Sequence, residues 1–353
     1  MISKEVEYIV KHALAITAVA VAFASPVFSH HSDFGLDMDA VVTFEGTVTE
    51  FDWQNPHVYI TVGTADGTEW TLQMGSTIVV TRMGWTSESL SIGDAVIVGA
   101  HVARNGRPYG LLDSIEKEGG IGLPTSFDAA TGEPLLREPE VTVNTSTLEG
   151  IWIADASKLV GYPGGLDGLF TALLRLTEKG QAAQASYSEI SEQNPGASCI
   201  GLPTPATIVV TNLYPLEIQI NEDEETVGIR SEYFDEERTV YMDGRQHPNG
   251  GERTHAGHSI GWWEGDTLVV DTRNFTDHRS PYQNGVPSGA QKHVVERYRL
   301  TEDGTRVVVE FILEDPEHIA EPMTHTRELV YSPHMELSQF NCDLEATRRF
   351  LPQ

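Results

Sequence analysis

Positive charge is scarce in this sequence of 353 residues. Lys and Arg together number 23 against 52 Asp and Glu, which gives a formal net charge of −29 at pH 7. Binding to nucleic acid needs clustered cations that replace the counterions of the phosphate backbone. The composition therefore argues against a nucleic-acid partner and disfavours anionic lipid surfaces. A strongly solvated surface is the simplest interpretation of the charge.

Long apolar runs are absent after the first 29 residues. Residues 1–29 have the pattern of a signal peptide, in which two lysines precede the apolar run 13–28 and small residues precede a cleavage point after Ser29. No later stretch approaches the roughly 20 apolar residues of a membrane span. We expect a soluble protein, without a membrane span, that is periplasmic or secreted and begins at His30.

A histidine at the amino terminus would offer an amine and an imidazole on one residue. His31 follows His30, and His57 begins a predicted strand and could supply a further imidazole. Imidazole is a favoured ligand for copper and zinc, and these donors fit a T-shaped copper site. The alternative is that His57 caps a turn and the paired histidines end a strand. His30, His31 and His57 are thus a candidate metal site, and copper is a candidate cofactor.

Cysteine is almost absent, with Cys199 and Cys342 as the two in the chain. In an oxidising compartment they would form one disulfide that encloses most of the C-terminal half. A free buried pair is the alternative. The sequence also lacks a nucleophile elbow, a phosphate loop and a dinucleotide fingerprint, which argues against ordinary NAD- or ATP-dependent chemistry.

Residues 30–117 read as a small β domain. β-branched residues and one glycine mark a long first strand over 41–51, a hairpin follows around residues 65–67, and Ser76 opens a short helical turn before two further strands. Five strands with a helix between the third and the fourth are the order of an OB-like barrel. Residues 118–147, rich in Gly, Pro, Thr and Glu, read as a linker.

Residues 148–353 read as a second all-β domain. Its clearest hairpin joins residues 294–300 to residues 306–312, with alternation that buries one face. Eight to ten short antiparallel strands favour a closed barrel, because closure removes exposed edges. The opening Gly150-Ile151-Trp152 resembles the start of lipocalin-type barrels, so we predict a lipocalin-like antiparallel barrel, with a sandwich as the alternative.

Two resemblances accompany this architecture. His30-His31-Ser32, Trp53-Gln54-Asn55-Pro56-His57 and Met83-Gly84-Trp85 resemble an uncharacterised family of exported bacterial domains over residues 30–117, although Phe34 lies one place later than is usual. The C-terminal half is similar to a second uncharacterised exported group, through Gly257-His258-Ser259-Ile260-Gly261-Trp262-Trp263-Glu264-Gly265-Asp266. Neither resemblance implies an activity.

A polar cluster lies between strands of the second domain. Asp243, His247 and His258 are candidate catalytic residues, since histidine near a carboxylate can act as a general acid or base. They would suit an isomerase, cyclase or hydrolase that works without a cofactor. The alternative is structural, because Asp243-Gly244 is also a strong turn signal.

Aromatic residues suggest a binding site in the same domain. Adjacent tryptophans on a strand point to opposite faces, so one can meet a ligand while the other fills the core. The candidate ligand-binding residues are Tyr241, Trp262, Trp263, Tyr298 and His293. The leading functional hypothesis is therefore binding of a small, largely apolar molecule in the C-terminal barrel. A cofactor-independent enzyme and a periplasmic copper-binding protein are the alternatives.

Overall fold

The computed structural model describes residues 36–37, 40–117, 119, 121–123, 143–159, 165–188, 190–250 and 252–351. The predicted signal peptide, His30 and His31 lie outside these residues. The structure forms two closed β-barrels, one of five strands and one of nine. The two-barrel, all-β prediction is confirmed.

Among residues 36–123 that the structure describes, six strands and one helix build the first barrel and its edge. They are β1 (Val42–Asp52), β2 (Tyr59–Gly63), β3 (Glu69–Gln73), α1 (Thr77–Arg82), β4 (Ala95–Val102), β5 (Tyr109–Lys117) and β6 (Ile121–Leu123). Strand β1 pairs with β2 and β4, and a parallel pairing of β3 with β5 closes the ring. Strand β6 adds to the free edge of β5. This is the OB-type order that the sequence predicts.

Gly46 shows why this barrel can close. A Cβ atom at this position would lie 2.5 Å from Cγ1 of Val62 and 2.7 Å from the carbonyl oxygen of Gly63. The backbone of β1 therefore approaches β2 more closely than any side chain would permit, which is a typical use of glycine in a bent strand. Around this bend the core is apolar, with Val48, Ile60, Leu72, Trp85 and Val98 almost fully buried.

The second barrel contains nine strands. They are β7 (Gly150–Ala154), β8 (Leu216–Asn221), β9 (Thr226–Ser231), β10 (Glu237–Tyr241), β11 (His258–Glu264), β12 (Thr267–Arg273), β13 (His293–Leu300), β14 (Arg306–Glu314) and β15 (Met323–Tyr331). The ring runs from β10 through β15 to β7, β8 and β9. Every neighbouring pair is antiparallel except β10 and β11, which are parallel. The segment between β10 and β11 must therefore cross from one end of the barrel to the other.

Short helices join the strands of this half. They are α2 (Gly165–Leu173), α3 (Glu178–Ala185) and α4 (Ala206–Val209). Helix α4 and the residue Leu202 before it pack into the core of the second barrel, where Ile208 and Val209 are almost fully buried. In the described part of the chain, none of the helices has the length and apolar character needed to cross a bilayer.

The strands of the second barrel alternate as the sequence predicts. On β13, Val294, Glu296 and Tyr298 are buried inside the barrel, whereas His293 lies on the outer face. The β13–β14 hairpin pairs residues 293–300 with residues 307–314 in regular register. Trp152 from the Gly-x-Trp motif is fully buried, and its indole N–H donates to the carbonyl oxygen of Leu148 at 2.8 Å.

The C-terminal segment, residues 332–351, leaves the second barrel and lies against the first. The backbone N–H of Asp343 donates to the carbonyl oxygen of Asn55 at 2.8 Å, and Arg349 pairs with Glu50 and Asp52. The predicted disulfide between Cys199 and Cys342 is present and ties this segment to the second barrel. The contact between the two halves thus combines ion pairs, backbone hydrogen bonds and one covalent link.

Candidate functional site

Five of the predicted site residues lie together on the outer wall of the second barrel: Tyr241, Asp243, His247, His258 and His293. The strand pattern explains their meeting, because outward positions alternate along neighbouring paired strands. His258 of β11 lies opposite Arg273 of β12, and His293 of β13 lies opposite Glu314 of β14. His247 reaches the same wall from the segment that follows β10. We refer to this group as the outer-wall histidine cluster.

A continuous series of contacts connects the cluster. Nδ1 of His258 lies 3.0 Å from Nδ1 of His247, whose Nε2 lies 2.9 Å from Oδ1 of Asp271. The other oxygen of Asp271 lies 3.0 Å from Nε2 of His293, and Nδ1 of His293 lies 3.0 Å from Oε2 of Glu314. Asp271 and Glu314 are members that the sequence analysis missed.

Charge in the cluster is concentrated on Asp271 and His293. Burial raises the pKa of the Asp271 carboxyl, but hydrogen bonds from His293 and His247 and the nearby Arg273 outweigh it and bring this pKa to about 2. The hydrogen bond to Asp271 raises the pKa of His293 against the opposing effect of burial. Both ring nitrogens of His293 face carboxylates, so the geometry favours its protonated form.

Asp243 has a different partner. Its carboxylate accepts from Nε of Arg245 at 2.9 Å, and this hydrogen bonding lowers the pKa of Asp243 to about 2. The Arg245 guanidinium lies 3.7 Å from the centre of the Tyr241 ring, which in turn stacks on His258. Asp243 thus positions the guanidinium of Arg245 over Tyr241, at the edge of the cluster. The catalytic role of Asp243, His247 and His258 stays a prediction.

The predicted ligand-binding aromatics occupy separate places. Trp262 and Trp263 are both exposed near the end of β11, at 40% and 46%. The expected division into one core and one surface tryptophan therefore does not occur, because the strand ends at the next residue. Tyr298 is fully buried inside the barrel. The structure brings Tyr241 and His293 to the outer-wall histidine cluster and leaves the other three elsewhere.

The interior of the second barrel holds a buried polar network. Arg238 pairs with the fully buried Glu296 and donates to the hydroxyls of Thr272 at 3.1 Å and Tyr298 at 3.2 Å. Thr204, just before α4, donates its hydroxyl hydrogen to the same carboxylate. The void beside this network measures about 10 Å³, which is room for roughly one water molecule.

A larger opening, which we call the cleft, lies beside the segment that leads into α4. It has a volume of about 570 Å³ and is lined by residues 192–195, 198–201 and 276–279 together with Glu236 and His255. Pockets for small ligands commonly have several hundred cubic ångströms. In its wall, Nε2 of His255 lies 2.9 Å from Oε1 of Glu236. The lining thus contains a histidine–carboxylate pair beside the charged side chains of Glu192, Asp277 and Arg279.

His278 forms the inner wall of the cleft. Its Nε2 donates to the carbonyl oxygen of Gly201 at 3.0 Å, and its Nδ1 accepts from the backbone N–H of Ser280 at 3.2 Å. Burial lowers the pKa of His278 to about 3, with smaller contributions from the charges of His255 and Lys292. The ring is therefore a fixed neutral group that helps to position the loop 276–280.

Of the three residues of the predicted metal site, the structure describes His57. His57 is half-buried beside the end of strand β3, with its Nδ1 3.0 Å from the carbonyl oxygen of Met74, and desolvation lowers its pKa to about 4. Among the residues that the structure describes, no group of three or more His, Cys, Asp or Glu side chains is arranged to hold a metal ion. Because His30 and His31 lie outside those residues, the proposed copper site stays a prediction.

Comparison with known families gives a match for the N-terminal domain. The model of a family of unknown function, DUF6152, matches residues 18–113, which is less than half of the chain. This agrees with the predicted resemblance of the N-terminal domain to an uncharacterised family. The resemblance proposed for the C-terminal half stays a prediction. No curated protein matches the sequence.

Proposed function

We propose that the second barrel binds a small polar molecule, neutral or positively charged, in the cleft. The observation that carries this proposal is an open volume of about 570 Å³ whose lining includes the Glu236–His255 pair and further charged side chains, beside a barrel interior filled by side chains. A largely apolar ligand, which the sequence analysis favoured, would have to desolvate Glu236 and His255 without replacing their hydrogen bonds to water.

The charges of the lining support the choice of ligand. Glu192, Glu236 and Asp277 contribute carboxylates. The guanidinium of Arg279 is already occupied, because it donates to the carbonyl oxygens of Gly285 at 2.5 Å and Ala183 at 2.8 Å. Asp277 contacts Arg253 at 3.1 Å, and Glu236 contacts His255 at 2.9 Å. An anionic ligand would still meet a lining with three carboxylates and one occupied guanidinium, whereas an amine or a polyol would find hydrogen-bond acceptors.

The test is a binding measurement with simple probes. Ethanolamine, choline and glycerol are titrated into ¹⁵N-labelled protein, with acetate and lactate as anionic counterparts. We expect chemical-shift changes centred on residues 192–201 and 276–279 for the first group, and affinities at least about tenfold weaker for the carboxylates. Changes spread evenly over the protein, or carboxylates that bind best, would refute the proposal.

A blocked cleft provides the matched control. Ile200 is 44% exposed at the cleft, so Ile200→Trp should fill part of the opening and weaken binding of the same probes by about tenfold. Ile92→Trp adds the same side chain at a residue that is 76% exposed in the first half of the chain and should leave binding unchanged. Equal affinities in the two variants would contradict the assignment of the cleft.

Acid–base catalysis in the cleft is a second candidate function. The contact of Glu236 with Nε2 of His255 is the arrangement in which a carboxylate orients an imidazole for proton transfer. This pair supports the hypothesis of an isomerase, cyclase or hydrolase, but with Glu236 and His255 in place of the predicted catalytic residues. The check is deuterium incorporation from D₂O into small ketones, followed by NMR. Activity should disappear in His255→Gln and persist in His334→Gln, and activity that survives His255→Gln would reject this role.

Export and copper binding form a separate proposal, supported by the signal-like pattern of residues 1–29 and by a disulfide typical of oxidising compartments. Intact-mass measurement of protein expressed with its leader should give a chain that begins at His30. That chain should bind copper(II) with submicromolar affinity, and His30→Ala should abolish binding. Cleavage elsewhere, or no calorimetric signal with copper, would remove the copper proposal.

A further inference from the structure

Residues 243–250, which we call the strap, begin the crossing from β10 to β11 and are fastened to the outer wall of the second barrel. The main attachment is His247, whose two ring nitrogens face His258 and Asp271. A second is the carbonyl oxygen of Pro248, which accepts from Nδ2 of Asn274 at 3.2 Å. The position of the strap therefore depends chiefly on His247, through one contact with an imidazole and one with a carboxylate.

The protons of this contact can be assigned from the partners. A carboxylate only accepts, so Nε2 of His247 must carry the hydrogen that it directs to Asp271. In neutral His247 the other nitrogen, Nδ1, then has a lone pair, and Nδ1 of His258 donates to it. The pair can take up one further proton and keep this bond. With a second proton, both Nδ1 atoms would carry hydrogens at a separation of 3.0 Å.

The surroundings offer one carboxylate to that second charge. The charged and titratable groups that face the pair come from β10, the strap, β12, β13 and β14: Tyr241, Asp243, Arg245, Asp271, Arg273, His293 and Glu314. Asp271 contacts His247 at 2.9 Å and also faces His293 and Arg273, whereas Asp243 is paired with Arg245. Asp271 thus divides one negative charge among three cations when His247 is protonated, and the repulsion between the two Nδ1–H groups remains.

We propose that the His247–His258 contact is a pH-sensitive latch, which holds the strap on the barrel near neutral pH and releases it on acidification. Burial, with the charges of His247 and Arg245, lowers the pKa of His258 in the closed strap. With the strap released, His258 would titrate at the ordinary value of about 6.5. Because the open form binds more protons below that value, the closed form loses stability as the pH falls.

His293 behaves in the opposite sense. Its pKa is raised by Asp271, so its contacts with Asp271 and Glu314 strengthen when it is protonated. It belongs to β13 and not to the strap. Acidification should therefore loosen the strap while the β13–β14 wall stays intact, which separates the latch from general acid unfolding.

The latch has a consequence for the cleft. The chain continues from the strap to His255, which lies in the cleft wall. Release of the strap should make this wall more mobile and weaken ligand binding. This consequence rests on the proposed function, whereas the latch itself does not. A measurement of order in the strap tests the latch, and a measurement of ligand affinity tests the proposed function, so either can fail without the other.

The experiment measures backbone ¹⁵N order parameters of the full chain at pH 7.0 and pH 5.0. We expect the order parameters of the strap to fall from about 0.85 to below about 0.6 at the lower pH, with unchanged values in β13 and β14. Unchanged strap order parameters in the unaltered protein, or a fall throughout the barrel, would overturn the proposal.

Two variants sharpen the result. His258→Gln can still donate to His247 but cannot be charged, so its strap should keep high order parameters at both pH values. His258→Phe keeps a ring against Tyr241 but has no donor, so its strap should have low order parameters at both. His334→Gln removes an exposed histidine elsewhere and should keep the full pH response. A full pH response that persists in His258→Gln would refute the latch.

Discussion

Replacing Arg238 with methionine is expected to lower the free energy of unfolding by about 3–5 kcal/mol. Arg238 is the cation that neutralises Glu296, and the Glu296 side chain is completely buried inside the second barrel. Methionine fills much of the same volume but leaves a carboxylate in an apolar interior without a charged partner. The loss is large because the remaining hydroxyl donors, from Thr204 and Tyr298, cannot replace a charge. The change in the free energy of unfolding is measured by urea denaturation, with circular dichroism as the signal.

The pH dependence and a double variant test the cause of this loss. A neutral carboxyl is easier to bury than a carboxylate, so Arg238→Met should recover stability as the pH is lowered toward 5. Adding Glu296→Leu removes the unpaired charge and should restore most of the stability at neutral pH. If Arg238→Met costs less than about 1 kcal/mol, or if the double variant is less stable than the single one, the network is not the electrostatic unit described above.

Removing the disulfide is expected to have an effect of similar size. The link joins residues 143 positions apart, so the chain-entropy relation gives a destabilisation of up to about 5 kcal/mol for Cys199→Ser combined with Cys342→Ser. The reason is the larger conformational freedom of the unfolded chain, with a further contribution from loosened contacts of residues 332–351. The measurement is the urea midpoint of the double variant compared with that of the oxidised parent.

Chemical reduction gives the control for this result. A reducing agent should lower the stability of the parent protein to that of the double variant and should not change the double variant itself. A difference below about 1 kcal/mol between oxidised and reduced parent would show that the loop is already restricted in the unfolded chain. An effect of the reductant on the variant would point to a cause other than the disulfide.

Periodicity and turn chemistry were sufficient to predict the two barrels. The OB-like order followed from five short strands with a helix started by Ser76, whose side chain does accept from the backbone N–H of Val79 at 3.3 Å. The parallel pairing of β10 with β11 was not predictable, since nothing in residues 242–257 specifies which strand comes next in the ring. A local pattern defines strands, whereas their order depends on distant pairing.

The same distinction explains what was found and missed at the candidate sites. The hairpin turn at Gly265-Asp266 sets the β11–β12 register, which places Ile260 opposite Asp271. His258 lies two residues before Ile260 on the same strand, so its side chain is on the same outward face as that of Asp271. That signal was in the sequence and could have added Asp271 to the histidines. The cleft could not be predicted in this way. Glu236, His255 and His278 lie in three separate loops between strands, which come together only in the closed barrel.

The docked C-terminal segment also has a consequence for biosynthesis. The contact between Arg349 and Glu50 joins residues 299 positions apart. Strands β1 to β6, by contrast, all precede residue 124. A chain made from its amino terminus can therefore complete that barrel while its acidic edge, Glu50 and Asp52, is still uncovered. This edge would be accessible to solvent and to chaperones during synthesis and would be covered only in one of the last steps of folding.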